Sequence, residues 1–141
     1  AAQVNQRSDD ETKAQVYFKR PNMLKSLGNA GMAASRGPHL IYKQDPQALA
    51  LVSEVMGQLT LDGFTRASYL LAYDEIRNYL TDLKVPCVVI AGDKDEITPA
   101  QAIMELAMEM QLSRCHLITD AGHLSYVDQP DQFNDIVLSA N

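Results

Sequence analysis

The stretch from Val85 to His123 restricts the fold of this chain more than any other part of the sequence. An apolar segment at residues 87–91 ends in glycine and aspartate, and a helical segment and a second apolar segment at 116–118 follow it. An uninterrupted apolar run is typical of a strand that is buried on both faces of a parallel sheet. Because parallel strands need a crossover, this pattern predicts a right-handed β-α-β unit.

The sequence before this unit has helical spacing. Asp45 and Pro46 predict a helix start, since a carboxylate caps free amide groups and proline is tolerated at the first helical position. Apolar residues then recur at helical intervals over 49–59 and 64–80. Glycines at positions 28, 31 and 37 are expected to break the earlier alanine-rich segment, and the polar opening is expected to be frayed.

Helical signals also appear inside and after the β-α-β unit. Thr98 and Pro99 predict a helix start, with Thr98 as the cap and Gln101 placed for a capping box. Residues 130–138 predict a closing helix with one apolar face. The second half of the chain is therefore predicted as β-α-β-α.

The composition is that of an ordinary globular protein. Of the 141 residues, 46% are hydrophobic and 21% are charged, which allows a sizeable core. The formal net charge of -6 disfavours nucleic acid and anionic membrane surfaces, so we expect a small neutral substrate instead. The sequence has neither a phosphate-binding glycine loop nor zinc-type ligand spacing, and we expect no metal or organic cofactor.

The other reactive side chains are interpreted as structural. Cys87 stands within an apolar run and Cys115 opens another, and both are expected to be small buried hydrophobic residues rather than a disulfide pair. His39 and His116 are interpreted as structural or exposed. Reduced cysteines, together with the absence of a signal-peptide pattern and of a long apolar span, predict a cytoplasmic location.

An acidic and a basic side chain follow the two predicted strands. Asp95 comes after the first strand and His123 after the second. The carboxyl ends of parallel strands meet at one edge of the sheet, and neighbouring strands are about 4.8 Å apart, so the two side chains can share a hydrogen bond. Such a bond would leave the second imidazole nitrogen free to take a proton from a nucleophile. We predict that Asp95 and His123 form a catalytic acid and base pair.

Two other carboxylates lie on the same loop as Asp95. Asp93 and Glu96 compete for His123, and spacing alone leaves Asp93 as an alternative, although Asp95 is preferred because it follows the sharp turn. A single aspartate in such a loop is more often a turn former or a helix cap. Gly122 is expected to supply the backbone freedom that aims His123 into the site.

Several short motifs follow one another in a fixed order along the second half of the chain. They are Leu83, Val85-Pro86, the apolar strand at 88–91, Gly92-Asp93-Lys94-Asp95, Thr98-Pro99, Leu117-Ile118, Gly122-His123 and Asp128-Gln129-Pro130-Asp131-Gln132-Phe133. In combination they resemble the closing segment of the α/β-hydrolase fold family, and within it the small cap-bearing esterases, enol-lactonases and carbon-carbon bond hydrolases.

The resemblance implies an α/β fold of which this chain supplies the carboxyl-terminal portion. Residues 1–80 would correspond to the helical cap that roofs the active site in that family, and residues 81–141 to the last part of the core. Asp95 corresponds to the family's catalytic acid and His123 to its base. Caps diverge widely, so no substrate-contacting residue is carried over to this chain.

The nucleophile of that family has no counterpart here. It occupies a Gly-x-Ser-x-Gly turn between a strand and a helix, and an earlier loop helps to form the oxyanion hole. The nearest imitation is Ser35, which no apolar strand precedes, and we interpret it as an ordinary serine of a cap loop. A sheet of two strands is also marginal by itself. We therefore expect the nucleophile to lie in a missing amino-terminal part, and this chain alone to be inactive.

Two functional hypotheses follow. The first is a serine-type hydrolase, without cofactor, that acts on a small ester, lactone or related carbonyl compound. The second is a non-catalytic binding or interaction module that retains the hydrolase scaffold, since fold does not fix function. Lyase or haloperoxidase chemistry on the same scaffold stays open. The expected partners are the substrate and the amino-terminal part or a second chain, and an exposed sheet edge leaves association between copies as an alternative.

Overall fold

The computed structural model describes residues 10–139, so the polar opening lies outside the described residues up to position 9, and its last two residues, Asp10 and Glu11, belong to a helix. The elements in chain order are helix α1 (Asp10–Arg36), a 3-10 helix (Gly37–His39), α2 (Pro46–Gly57), α3 (Leu61–Tyr73), α4 (Arg77–Leu80), strand β1 (Cys87–Gly92), α5 (Ala100–Met108), strand β2 (Ser113–Ile118), α6 (Ser125–Asp128) and α7 (Pro130–Leu138). Over this range, no helix combines the length and the apolar character that crossing a bilayer requires.

The described residues form two compact units. The helical unit comprises residues 10–38 and Leu49–Glu75, and the sheet unit comprises His39–Ala48 and residues 76–139. The predicted division into a cap at 1–80 and a core at 81–141 stays a prediction.

Helices α1 and α3 pack against each other in the helical unit. Glycine interrupts α1 as expected at Gly28, whose φ of 64° lies in the left-handed region, whereas Gly31 remains helical and Gly37 begins the 3-10 helix. The buried hydrophobic side chains of this unit come from α1, α2 and α3: they are Leu24, Met32, Ala33, Val52 and Ala72.

Two helix starts carry the caps that their sequences favour. Asp45 Oδ1 accepts hydrogen bonds from the N–H groups of Gln47 and Ala48, at 2.9 and 3.1 Å, which confirms the predicted start of α2. Thr60 Oγ1 accepts from the N–H of Gly63 at the start of α3. The helix predicted over 64–80 is in fact two helices, because α3 ends before residue 74 and α4 begins at residue 77.

Strands β1 and β2 of the sheet unit pair in parallel along their whole length, from Cys87 opposite Ser113 to Gly92 opposite Ile118. Helix α5 connects them and packs against both, and α7 packs against β2. The predicted β-α-β arrangement and closing helix are therefore confirmed. Strand β2 begins earlier than the predicted start at residue 116, because pairing with β1 keeps its polar residues extended.

The strands are less buried than their sequences predict. Ala91 and Ile118 are buried, but Val88 is 37% exposed and Leu117 is 52% exposed. Strand side chains point to the two faces of a sheet, and within residues 10–139 the helices that pack mainly on this two-stranded sheet are α5 and α7, which leave part of its faces uncovered. The expectation of buried cysteines is wrong for the same reason, since Cys115 in β2 is exposed and Cys87 in β1 is half-buried.

Candidate active site

The loops that follow β1 and β2 pass very close to each other. Gly92 ends β1 at a point where a Cβ atom would collide with the carbonyl oxygen of Ala121. The N–H of Asp93 donates to the carbonyl of Ile118 at 3.0 Å, and the N–H of Lys94 donates to the carbonyl of Ala121 at 2.9 Å. Glycine permits this close approach, so the backbone itself joins the two loops.

Asp95 lies between β1 and α5, where its side chain shapes the turn. Its Oδ1 atom accepts hydrogen bonds from the N–H groups of Ile97, at 2.8 Å, and Thr98, at 2.9 Å. The Thr98 hydroxyl donates to Oδ2 at 2.6 Å. An aspartate that accepts N–H groups shortly after itself in the chain forms a local turn. The carboxylate is thus oriented by its own loop, independently of the histidine.

His123 lies against this carboxylate. Its Nδ1 atom is 2.9 Å from Asp95 Oδ2 and 3.2 Å from Thr98 Oγ1. The Thr98 hydroxyl hydrogen is directed at Asp95, and the carboxylate of Asp95 can only accept. The hydrogen-bond network therefore assigns the proton of the neutral imidazole to Nδ1, which donates it to Asp95, and leaves Nε2 as an acceptor. The His123 side chain is 35% exposed, whereas that of Asp95 is 6% exposed. The acid of the pair is therefore buried, while the imidazole that contacts it is more accessible to solvent.

The surroundings of Asp95 keep it ionised. Burial raises its pKa, but the hydrogen bonds from the Thr98 hydroxyl and N–H, from His123 and from the Ile97 N–H together outweigh burial and lower the pKa below its ordinary value. An anion at this position stabilises an imidazolium at His123. The arrangement is therefore suited to a histidine that takes up a proton and then releases it.

Of the two competing carboxylates, Asp93 has other partners and Glu96 is in contact with solvent. Asp93 Oδ2 is 2.9 Å from Lys94 Nζ, and Asp93 Oδ1 accepts from the N–H of Ala121 at 3.3 Å. The hydrogen bond from Lys94 lowers the pKa of Asp93 against the opposing effect of burial. Glu96 is exposed. The structure thus brings Asp95, and not Asp93, to His123, while the catalytic role of the pair stays a prediction.

Gly122 has a different function from the expected one. Its φ is not positive, so it supplies no left-handed turn, and the positive φ of 55° in this loop belongs to Asp120. What position 122 requires is space, because a Cβ atom there would lie 2.9 Å from the backbone nitrogen of Tyr42 and 3.1 Å from the carbonyl carbon of Ile41. The loop before His123 thus packs directly on another backbone segment.

The other candidate residues lie elsewhere. Ser35 is exposed in the last turn of α1, in the helical unit, and not in a turn between a strand and a helix. His116 is half-buried within β2, and His39 is exposed at the end of the 3-10 helix. Across residues 10–139, no three side chains of the His, Cys, Asp or Glu type converge as a metal site would need.

Sequence reasoning missed two residues of this region. Thr98 is not the cap of α5, since that position belongs to Pro99, which makes no capping side-chain bond. The hydroxyl of Thr98 donates a hydrogen bond to the Asp95 carboxylate instead. The spacing of three residues between Asp95 and Thr98 is the sequence feature from which this bond could have been predicted. Asp128 appeared in the sequence only as the acidic position of the last motif, but its carboxylate is bonded to the loop of His123.

No protein-family model matches this chain. It is 28% identical over 129 residues to 3-oxoadipate enol-lactonase 2 of Acinetobacter baylyi, a match that covers 89% of this chain and 48% of the enol-lactonase. Among solved structures, a thermophilic esterase from Thermogutta terrifontis has a TM-score of 0.82 at 20% identity, over 96% of this chain and 51% of the esterase. An enol-lactonase from Burkholderia xenovorans LB400 has a TM-score of 0.80 at 22% identity, over 89% and 50%.

These similarities extend over both halves of the chain, and they agree with the parallel β1-α5-β2 unit. The chain therefore has the α/β-hydrolase fold, of which it forms a carboxyl-terminal portion. It spans about half the length of each of the three proteins that it matches.

Proposed function

We propose that this chain carries the acid and the base of a serine-type hydrolase that acts on an ester or a lactone. The observation that carries the proposal is the 2.9 Å contact between Asp95 Oδ2 and His123 Nδ1, at the carboxyl edge of two parallel strands. The similar proteins described above are an esterase and two enol-lactonases, which supports the same class of substrate.

In the proposed reaction, a serine Oγ attacks the carbonyl carbon of the substrate while His123 Nε2 takes the serine proton. Asp95 stays ionised and stabilises the imidazolium through the Nδ1–H hydrogen bond. The tetrahedral intermediate then collapses and its C–O bond breaks, and the imidazolium gives its proton to the leaving alkoxide. A water molecule attacks the acyl-serine in the same way, with His123 again as the base, and the carboxylic acid is released.

The nucleophile and the oxyanion hole are proposed to come from an amino-terminal part or a second chain. Ser35 lies in helix α1, which does not provide the strained turn that exposes a nucleophilic serine. The matched proteins are about twice as long as this chain. The exposed strand residues Val88 and Leu117 also favour further sheet or helix neighbours, since parallel strands are normally covered on both faces.

The test is hydrolysis of a p-nitrophenyl ester and of a simple lactone by the intact protein, meaning this chain together with the amino-terminal part that carries the nucleophile, and by its variants. His123→Ala is expected to reduce kcat by a factor on the order of 10⁴ to 10⁶, as loss of a catalytic base does, with little change in melting temperature. His39→Ala is the matched control, because His39 is exposed and is not a partner of Asp95. Wild-type turnover in His123→Ala would contradict the proposal.

A fluorophosphonate probe, which labels activated serines, separates the proposal from a non-catalytic binding module. We expect this chain alone to remain unlabelled and inactive, and to become active only together with an amino-terminal part that contains the serine. Labelling at Ser35 would show that the nucleophile lies in this chain after all. A folded intact protein that is neither labelled nor active on any ester or lactone would favour the binding module.

A further inference from the structure

Asp128, the last residue of α6, has a buried carboxylate at the back of the His123 loop. The residue is 6% exposed. Its Oδ2 atom accepts hydrogen bonds from the N–H groups of Gly122, at 2.8 Å, and Tyr42, at 2.9 Å, and its Oδ1 atom accepts from the N–H of Lys43 at 2.9 Å. Within the described range, no lysine, arginine or histidine forms an ion pair with it. Three N–H groups therefore stabilise this buried charge.

These bonds connect two segments that are far apart in sequence. Gly122, which precedes His123, and Tyr42 share the Oδ2 atom of Asp128. The residue after the histidine, Leu124, donates its N–H to the carbonyl of Leu40 at 2.8 Å. The backbone is thus anchored on both sides of His123 to the segment that contains Leu40 and Tyr42.

We propose that Asp128 is a positioning residue that sets the His123 ring against Asp95. The proposal rests on the proposed function, because it assigns to Asp128 a part in the same proton transfer. Asp128 does not touch the ring. It fixes the path of the backbone from which the ring projects, and displacement of a catalytic group by about 1 Å is enough to cost on the order of 100-fold in rate.

The arrangement requires acceptors at both carboxylate oxygens. Asp128→Asn keeps the size and shape of the side chain but replaces one acceptor with an NH₂ group. In one orientation that group faces the N–H of Lys43, and in the other it faces the N–H groups of Gly122 and Tyr42. The NH₂ group thus faces one N–H donor in the first orientation and two in the second, and neither contact can be a hydrogen bond, so this substitution is a direct probe of the anchor.

The experiment compares Asp128→Asn with Asp131→Asn in the intact protein. Asp131 lies nearby in α7 and is exposed, so its substitution changes the charge equally without touching the anchor. We expect Asp128→Asn to lower kcat by about 10- to 100-fold with KM close to wild type, because ring placement affects the proton transfer more than substrate binding. Asp131→Asn is expected to keep wild-type values.

The second readout is the NMR signal of the His123 Nδ1 proton, observed with ¹⁵N-labelled histidine. We expect a sharp low-field signal in the wild type and in Asp131→Asn, and its loss by exchange with solvent in Asp128→Asn. A lowered melting temperature with unchanged kcat and an unchanged signal would mean that Asp128 acts only in stability, and would overturn the proposal.

Two further outcomes keep the test decisive. If Asp128→Asn does not fold, Asp128→Glu takes its place, since the longer side chain keeps the charge and both acceptors but displaces them; the same loss of kcat is expected, and wild-type kcat would overturn the proposal. If His123→Ala leaves hydrolysis unchanged, the proposed function fails. The Nδ1 signal would then still report whether Asp128 positions the ring.

Discussion

The helical unit and the sheet unit use polar side chains in different ways. In α3 of the helical unit, the hydroxyls of Thr65 and Ser68 donate to carbonyl groups one helical turn earlier, which adds little to what the helix already fixes. In the sheet unit, Asp95 and Asp128 each accept several N–H groups from loops. The helical unit has one comparable anchor, Asn29, whose side-chain NH₂ group donates to two backbone carbonyls at the end of α2 and just after it. The comparison teaches that carboxylates hold the loops around His123 in the sheet unit, whereas side-chain packing between α1 and α3 contributes more to the helical unit.

Contacts between rings illustrate the packing of the helical unit. Tyr17 of α1 lies 5.8 Å from Tyr69 and 6.0 Å from Tyr73 of α3, measured between ring centroids. Tyr69 is 54% exposed. Aromatic side chains that meet over a broad surface tolerate exchange for others of similar size. We expect exchanges among aromatic residues on this surface to be tolerated better than substitutions in the loops around Asp95.

The largest expected difference in stability between the units is at two glycines. Gly92→Ala places a methyl group against the backbone of Ala121, which no rotamer change can relieve, and we expect a loss of about 3 kcal/mol or more in the free energy of unfolding. Gly57 has no atom within 4 Å of the position of a Cβ, and Gly57→Ala is expected to be neutral or to stabilise by up to about 1 kcal/mol. Urea denaturation measures both, and similar losses would remove the contrast between the units.

A smaller difference is expected at two threonines. Thr98→Val removes the hydroxyl that donates to the Asp95 carboxylate, and a hydrogen bond to a charged group contributes about 1.5–3 kcal/mol. Thr65→Val removes only the bond to the Leu61 carbonyl within α3, and we expect a change of less than about 0.5 kcal/mol. Equal effects of the two substitutions would mean that the Thr98 hydroxyl does not support the carboxylate.

The decrease in the free energy of unfolding caused by Thr98→Val should depend on pH. The pKa of Asp95 in the folded state lies below its ordinary value of 3.8, so the stability that this carboxylate contributes is fully present above pH 3.8 and is lost as the pH falls through the folded-state pKa. Thr98→Val raises the pKa of Asp95. The wild type and the variant should therefore differ most at neutral pH and converge in acid, and a gap that widens in acid would contradict the assignment.

The sequence was sufficient to predict the elements whose signals are local. The apolar run of β1, the cap at Asp45 and the proline at the start of α7 each act within a few residues, and the structure contains all three elements. The contact between Asp95 and His123 was also predictable, because parallel pairing brings the ends of β1 and β2 together.

The remaining features depend on contacts between residues that are distant in sequence. Asp128 binds the backbone of Tyr42 and Lys43, and no local pattern marks an aspartate as the acceptor of such groups. Thr98 fits a helix cap equally well by its sequence, and only the position of Asp95 shows where its hydroxyl donates. The sequence predicted more burial for β1 than the structure shows. An apolar sequence indicates that a strand is suited to a buried position, but its burial depends on which other elements pack on it.

The central claim is that Asp95, and not its neighbour Asp93, is the acid that supports His123. The most direct measurement is kcat for ester hydrolysis by the intact protein with Asp95→Asn and with Asp93→Asn, alongside both melting temperatures. We expect Asp95→Asn to lose on the order of 10⁴-fold in kcat, because an amide cannot stabilise the imidazolium, and Asp93→Asn to lose less than about tenfold. Comparable losses in the two variants, or near wild-type turnover in Asp95→Asn, would contradict the account.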